Sequence, residues 1–269
     1  MRIRVRHTTS YTYDRPVEYA AQLLRLTPCE HAGQRIRSWR VTADGRALVR
    51  TDDGYGNTVH LFTVLRPHVG ATIVAEGEVE TNDTQGVLRD AVERLPPIYW
   101  LRSTPQTSPD EALRALAAEV EFFTDPIVRL HRLMELVRSR IDYVLGATTV
   151  MTTAAEALAK GSGVCQDHAQ VFITAARSLG IPARYVSGYL AMEVSETATA
   201  SHAWAEAHVS GLGWIGFDAA NNICPTESYV RVAVGLDYGE AAPVRGIRRG
   251  EGSEALSVAV DVQATHAQQ

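Results

Sequence analysis

The chain has 269 residues, 45% of them hydrophobic and 21% charged, with a formal net charge of −5 at pH 7. This is enough apolar material for one large packed unit or two smaller ones. The mild acidity and scattered basic residues exclude the electrostatic footprint of a nucleic-acid or anionic-membrane binder.

The N-terminus, Met1-Arg2-Ile3-Arg4-Val5-Arg6, alternates charge with hydrophobe and does not read as a signal peptide. No stretch of about 18 apolar residues is present, so no spanning helix is expected. The three cysteines, Cys29, Cys165 and Cys224, are widely spaced and odd in number, against a disulfide framework; the expected compartment is the cytoplasm. With no CxxC, no HExxH and no close Cys/His pair, neither a metal nor an organic cofactor is implied.

Residues 2–82 read as a run of strands. Ile3 and Val5 alternate with arginines, Gln34 to Val41 alternates around Ile36, and Val59, Phe62, Val64 and Leu65 form an apolar β-branched and aromatic run. Ala71 to Thr81 is rich in Thr, Ile and Val. Asp44-Gly45 and Asp52-Asp53-Gly54-Tyr55-Gly56-Asn57 supply turns. This spacing predicts a sandwich or curled antiparallel sheet. Residues 83–108, with Pro96-Pro97 and Pro105, read as a connection with aromatic anchors at Tyr99 and Trp100.

Ser108-Pro109-Asp110-Glu111 predicts a helix start with Ser108 as N-cap and Pro109 in the first helical position. A second helix is predicted from Pro126 to Arg140, and Thr153 with Glu156 predicts the capping box of a third, ending before Gly161. Strands are predicted over Arg184 to Met192, His202 to Val209, Gly213 to Asp218, Tyr229 to Val234 and Leu256 to Val262. Helical and strand segments are largely segregated, which predicts an α+β fold. The expected organisation is a β domain at 1–82, a linker at 83–108, a catalytic domain at 109–263 and a tail at 264–269.

Between the third helix and the first of the late strands lies Gly161-Ser162-Gly163-Val164-Cys165-Gln166-Asp167-His168. From Cys165 onward Val171, Phe172, Ala175, Ala176 and Leu179 recur at helical spacing, and Gly180 with Pro182 marks the stop. Cys165 is therefore delivered to a helix N-terminus, where unpaired backbone N–H groups favour a thiolate. Asp167 in the same turn adds negative charge and is expected to serve the helix dipole or a local cap.

In a strand from His202 to His208, Ala203, Ala205 and Ala207 share one face and His202, Trp204, Glu206 and His208 the other. A hairpin centred on Ser210 pairs His202 with Asp218, Glu206 with Trp214 and His208 with Leu212. Directly opposed side chains have Cβ atoms roughly 4.5–5.5 Å apart, close enough for an imidazole to meet a carboxylate. Cys, His and Asp are the residue types of nucleophilic catalysis. Residue spacing alone does not bring Cys165 to the other two. The remaining candidates have structural readings. Cys29 and Cys224 read as small buried hydrophobes, His168 as a packing residue, His208 as a partly exposed strand residue, and Trp204, Trp214 and Phe217 as core.

Four motifs occur in order: Gly-Val-Cys-Gln-Asp at 163–167, Arg-Ser-Leu-Gly-Ile-Pro-Ala-Arg-Tyr-Val-Ser-Gly-Tyr at 177–189, His-Ala-Trp-Ala-Glu at 202–206 and Gly-Trp-Ile-Gly-Phe-Asp at 213–218. With His7-Thr8-Thr9-Ser10-Tyr11-Thr12-Tyr13, Leu24-Arg25-Leu26-Thr27-Pro28 and Pro243-Val244-Arg245-Gly246, the chain resembles the bacterial transglutaminase-like proteins, part of the transglutaminase-like superfamily of papain-type cysteine enzymes. The resemblance implies Cys165 as nucleophile, His202 as general base and then acid, and Asp218 as the group orienting His202. It also implies a papain-like core, with the cysteine helix packed on an antiparallel sheet. Two positions depart from the family pattern. Asp218 is followed by Ala219-Ala220-Asn221 where Pro-Thr-Asn is common, and Gly235-Leu236 replaces Gly-Arg.

The expected chemistry is acyl transfer through a thioester, most simply hydrolysis of a peptide or isopeptide-type amide. An amide-forming acyltransferase and a non-catalytic binding module are the alternatives. The Cys165 N–H is one expected oxyanion donor. Tyr143 is the candidate for the second, and Trp204 a candidate for lining the acyl pocket. The expected partner is a peptide or other amide-containing substrate; the oligomeric state is open.

Overall fold

The structure, a computed structural model, describes residues 1–191 and 201–265. Eight strands come first: β1 (Arg2–Val17), β2 (Tyr19–Leu24), β3 (Gln34–Ala43), β4 (Arg46–Ala47), β5 (Arg50–Asp52), β6 (Thr58–Val64), β7 (His68–Thr81) and β8 (Val87–Leu88). Then follow α1 (Glu111–Ala118), α2 (Pro126–Arg140), β9 (Asp142–Tyr143), α3 (Ala154–Lys160), β10 (Ser162–Gly163) and α4 (Cys165–Ser178). The chain continues through β11 (Ala183–Leu190), β12 (His202–Val209), β13 (Gly213–Phe217), β14 (Tyr229–Gly235), α5 (Tyr238–Ala241), β15 (Val244–Arg249) and β16 (Glu254–Thr265). The architecture is α+β, as the segregation of patterns implies.

Two sheets, in the orders β16-β1-β7-β3-β4 and β15-β2-β6-β5, build the N-terminal part. Alternation decides which face is inside. Ile3 and Val5 are fully buried, while Arg4 and Arg6 point outward to Glu78 and Glu76 on β7 at 2.6 and 2.5 Å. Such exposed pairs contribute little energy and mainly suit the observed register. Leu24 and Phe62 from one sheet, with Leu26 just past β2, pack on Val41, Ile73 and Ala75 from the other, closing a sandwich core. Farther along, Ile3, Val5 and Val79 pack instead on Tyr189, Val230 and Val232 of the sheet β14-β11-β12-β13-β8. The first sheet therefore covers both its sandwich partner and one face of the sheet that carries the site.

The expected end of the catalytic unit at residue 263 needs correction. β15 pairs with β2, and β16 pairs with β1 from Arg2↔Thr265 to Tyr13↔Glu254, so the chain returns to the first sheets. Both strands cover edges that β1 and β2 would otherwise leave unpaired. Of the expected tail, 264 and 265 lie in β16 and 266–269 lie outside the described residues, as does 192 in the strand expected over 184–192. The first helix is also corrected. It begins at Glu111, and Asp110 caps it by accepting from the Leu113 N–H at 2.8 Å, while Ser108 follows a short 3-10 turn. The third helix has its Thr153–Glu156 capping box as expected.

The helix α4 is buried from Gln166 to Arg177. Ala203, Ala205 and Ala207 let it lie close on β12, and α1, α2 and α3 cover its other sides. Arg177 fixes its far end. Its guanidinium donates to the carbonyls of Trp100, Ala183 and Leu236 and to Thr107 Oγ1, all within 3.0 Å. Burial lowers its pKa to about 10, against the raising charges of Asp237 and Glu240, so it remains a cation near neutrality. The segment 83–108 is bolted down likewise, with Trp100 1% exposed and packed on Tyr55 and Trp214.

Candidate active site

The nucleophile position is built by local rules. Gly161, at φ 67°, ends α3, and β10 then runs parallel to β9, with Gly163 opposite Tyr143. Cys165 opens α4, so its N–H has no acceptor inside the helix. Asp167 turns back to accept from the Val164 N–H at 2.7 Å and from Thr148 Oγ1 at 2.6 Å, which is the local cap expected of it. Gly163 makes room for this cap, because a Cβ there would lie 2.6 Å from Asp167 Oδ2. His168 is fully buried between the carbonyls of Val164 and Ile141, at 2.9 and 3.0 Å, in the packing role read for it.

The hairpin carrying His202 has the expected faces but not the expected register. Glu206 opposes Gly216 and His208 opposes Trp214, two residues away from the expected pairing. The reason lies in the turn. Gly211 and Gly213 both adopt positive φ, 84° and 89°, and Val209–Gly213 closes a three-residue loop. A shift of two keeps every side chain on its face. His202 therefore meets Asp218 obliquely, Nε2 donating to Oδ2 at 2.6 Å. The Cys165 sulfur lies within hydrogen-bonding reach of His202. With Nε2 engaged by Asp218, Nδ1 is the nitrogen left for sulfur. The three residues are thus brought together, and α4, β12 and the end of β13 each supply one.

Asp218 is fully buried and saturated with donors. Oδ1 accepts from the N–H groups of Ala220 and Asn221 at 3.0 and 3.2 Å. Oδ2 accepts from His202, from Asn221 Nδ2 at 2.7 Å and from the Tyr229 hydroxyl at 2.7 Å. Burial alone would raise its pKa, but the His202 hydrogen bond and charge, then Tyr229 and Asn221, outweigh burial and hold it below the ordinary carboxylate value. For His202 burial pulls downward, yet the Asp218 and Cys165 interactions win and raise it to about 10. The imidazolium is therefore the favoured form at neutral pH.

Tyr229 and Asn221 were not singled out from sequence. Asn221 follows Asp218 closely enough for an Asx-type turn to have suggested it. Tyr229 comes from β14, a partner of β11, and no local pattern announces it. Its ring packs against those of His202 and Trp204, at 5.8 and 5.4 Å; Gly188 leaves room for Trp204, because a Cβ there would meet Val230 O at 2.1 Å and the Trp204 ring at 2.6 Å. Tyr143 stands beside the cysteine, half exposed, its pKa raised to about 12 by burial and then by the charges of Cys165 and Asp218. Trp204 is 2% exposed and lies beneath His202, rings 6.2 Å apart, which leaves it no surface to line an acyl pocket.

Behind the sheet, Glu206 accepts from Arg184 Nε and Arg231 Nε, both at 2.7 Å. Burial raises its pKa, but the two guanidinium groups prevail and lower it to about 2. Cys29 is partly exposed, not buried, with Arg231 Nη1 at 2.9 Å from its sulfur; Cys224 is partly exposed too, and burial raises its pKa. Among the described residues no three His, Cys, Asp or Glu side chains converge as a metal-binding group, and no helix is long and apolar enough to cross a membrane.

Residues 3–80 match the model of the bacterial transglutaminase-like N-terminal region, and residues 114–219 match that of the transglutaminase-like superfamily. An uncharacterized protein of Mycobacterium leprae is 33% identical over 282 residues, covering 97% of this chain and 98% of its own. The chain belongs to the transglutaminase-like superfamily. An uncharacterized protein of Mycobacterium tuberculosis H37Rv is 31% identical over 291 residues, covering 97% of this chain and 92% of its own. A solved structure from Cytophaga hutchinsonii, named as a candidate cysteine protease, superposes with a TM-score of 0.80 at 18% identity, covering 100% of this chain and 92% of that one. At that identity the likeness concerns the fold. As a transglutaminase-like protein, the chain is a cysteine-based enzyme.

Proposed function

We propose that the protein is a thiol hydrolase of peptide or isopeptide-type amides, with Cys165 as nucleophile, His202 as proton carrier and Asp218 as the group that orients and charges His202. The observation that carries this reading is His202 itself. It lies between the Cys165 sulfur and the Asp218 carboxylate, with its pKa raised to about 10. An imidazolium at that place favours the thiolate beside it.

The thiolate attacks the amide carbonyl, forming a C–S bond and moving the carbonyl electron pair onto oxygen. The Cys165 N–H at the helix start meets the oxyanion, and the Tyr143 phenol, beside the cysteine, is the proposed second donor. The C–N bond then breaks as His202 gives its proton to the departing amine, leaving a thioester and a neutral imidazole. Water, deprotonated by His202, attacks the thioester and releases the carboxylic acid and Cys165. Asp218, fixed by five donors, holds the imidazole in one orientation through both proton transfers.

The test is a fluorogenic peptide-amide library assayed with and without a primary alkylamine, using wild type and Cys165→Ala. The expected products are free acids, formed only by wild type and retained as the main product when amine is present. Conversion of most product to amine conjugate would replace hydrolysis by transfer. Turnover by Cys165→Ala at the wild-type rate would remove the thiol reading altogether.

A further inference from the structure

Both stretches of chain beside the cysteine are uncharged. Residues 143–155 and 219–226 contain no Asp, Glu, Lys or Arg in a protein that is 21% charged. Of eighteen large hydrophobic side chains exposed among the described residues, five fall within the first stretch: Tyr143, Val144, Leu145, Val150 and Met151. Leu145 and Met151 are 78% and 74% exposed.

The backbone of this stretch is tied to the turn that presents Cys165. The Val144 N–H donates to Gly163 O at 2.8 Å, and Thr148 Oγ1 donates to Asp167 Oδ2 at 2.6 Å. Val150 O accepts from Gln106 Nε2 at 2.8 Å and from Gln166 Nε2 at 3.4 Å, and Thr152 O accepts from Gln170 Nε2 at 3.2 Å. These bonds reach α4 at Gln166, Asp167 and Gln170, in its first two turns, and the β10 strand before it at Gly163. They hold a row of apolar side chains in solvent, where such side chains are least favoured, next to the nucleophile. In the second stretch Ile223 is 44% exposed and exchanges two backbone bonds with Asp218, at 2.9 and 3.2 Å.

We propose that residues 143–151 form the acyl-donor subsite, and that the substrate is a peptide with bulky apolar residues beside the scissile amide. This rests on the thiol chemistry proposed for Cys165. An apolar side chain laid on Leu145 and Met151 removes apolar surface from water on both partners. A charged one is desolvated there, and the charges bordering the stretch are already engaged, Lys160 by the Ala147 carbonyl and Glu156 by Thr153.

The test uses three dipeptidyl chloromethyl ketones that differ only in carrying leucine, glutamate or lysine beside the reactive carbon. In each, the Cys165 sulfur forms a C–S bond and chloride leaves, so the rate of Cys165 modification, followed by mass spectrometry, reads the fit of the peptide. The leucine probe is expected to react about tenfold or more faster than either charged probe. Leu145→Lys is expected to slow the leucine probe and speed the glutamate probe, while Leu212→Lys, in the turn between β12 and β13, leaves the ranking unchanged. Equal rates for all three probes, or a ranking unmoved by Leu145→Lys, overturns the subsite. Iodoacetamide separates the two claims, because it carries no peptide. Fast, His202-dependent labelling with no peptide preference removes the subsite alone. Labelling of Cys165 that is slow and indifferent to His202 removes the thiol reading and the subsite with it.

Discussion

Replacing Asp218 with asparagine tests how the charge of His202 is maintained. In the wild type His202 is raised from its ordinary 6.5 to about 10 even though burial pulls it down. That difference corresponds to roughly 5 kcal/mol of net preference for the imidazolium. The upward pull comes from Asp218 and Cys165, each through a hydrogen bond and a charge, with Asp218 the larger of each kind. Asp218→Asn removes a charge-assisted hydrogen bond together with the carboxylate charge, on the order of 2–3 kcal/mol, which is close to a hundredfold in the population of imidazolium. The volume is unchanged, and the backbone donors from Ala220 and Asn221 still have an amide oxygen to meet. The assay is the rate of Cys165 alkylation by iodoacetamide from pH 5 to pH 10. The wild type is expected to label at a nearly constant rate from about pH 6 to 9. The variant is expected to label about a hundredfold more slowly at pH 6 and to rise only as pH nears the ordinary thiol value of about 8.5. Superimposable profiles would refute the reasoning, because Asp218 would then have no hold on the pair.

Three further expectations concern the surroundings of the site. Tyr229→Phe removes a charge-assisted hydrogen bond of 2.7 Å to Asp218, worth about 1.5–3 kcal/mol; kcat should fall about tenfold with KM little changed, and a KM effect alone would contradict a positioning role. Glu206, at about 2 when folded, contributes stability that is present above the ordinary carboxylate range and lost as pH falls toward 2. Urea unfolding of the wild type should weaken from pH 5 to pH 3, whereas Glu206→Gln should lose about 3 kcal/mol at pH 7 and show a shallower acid dependence; equal slopes would contradict this. Gly188→Ala forces a Cβ to within 2.1 Å of Val230 O and 2.6 Å of the Trp204 ring. It should cost at least about 1–3 kcal/mol in thermal unfolding and slow Cys165 labelling by displacing Trp204 from beneath His202; unchanged stability would show that β14 yields easily.

What could be read from sequence followed the range of the interactions. The α4 start at Cys165 rests on neighbours in the chain, Gly161 and Gly163 before it and Gly180 after it, and local patterns of this kind are legible. The shared face of His202 and Asp218 rests on alternation with period two, so it survives the shift of register by two residues. The register itself depends on which of the glycines at 211 and 213 takes positive φ, and both do. Tyr229 is beyond the reach of local pattern because its contact with Asp218 depends on β14 pairing with β11, where Tyr229 opposes Leu190. The return of β15 and β16 to the first sheets is equally non-local. The alternation near Val258 and Val260 announces a strand, but only the open edge of β1, far away in the chain, says where it goes.

The most direct measurement is of the covalent intermediate itself. An activated ester of an N-acyl leucine, mixed with wild type, quenched in acid and digested for mass spectrometry, should leave the acyl group on the peptide containing Cys165. That adduct should decay in water to free acid at the rate of steady-state turnover, and it should be absent from Cys165→Ala. Acylation spread equally over Cys29, Cys165 and Cys224, or a Cys165 adduct that outlasts turnover, would contradict acyl transfer through this cysteine.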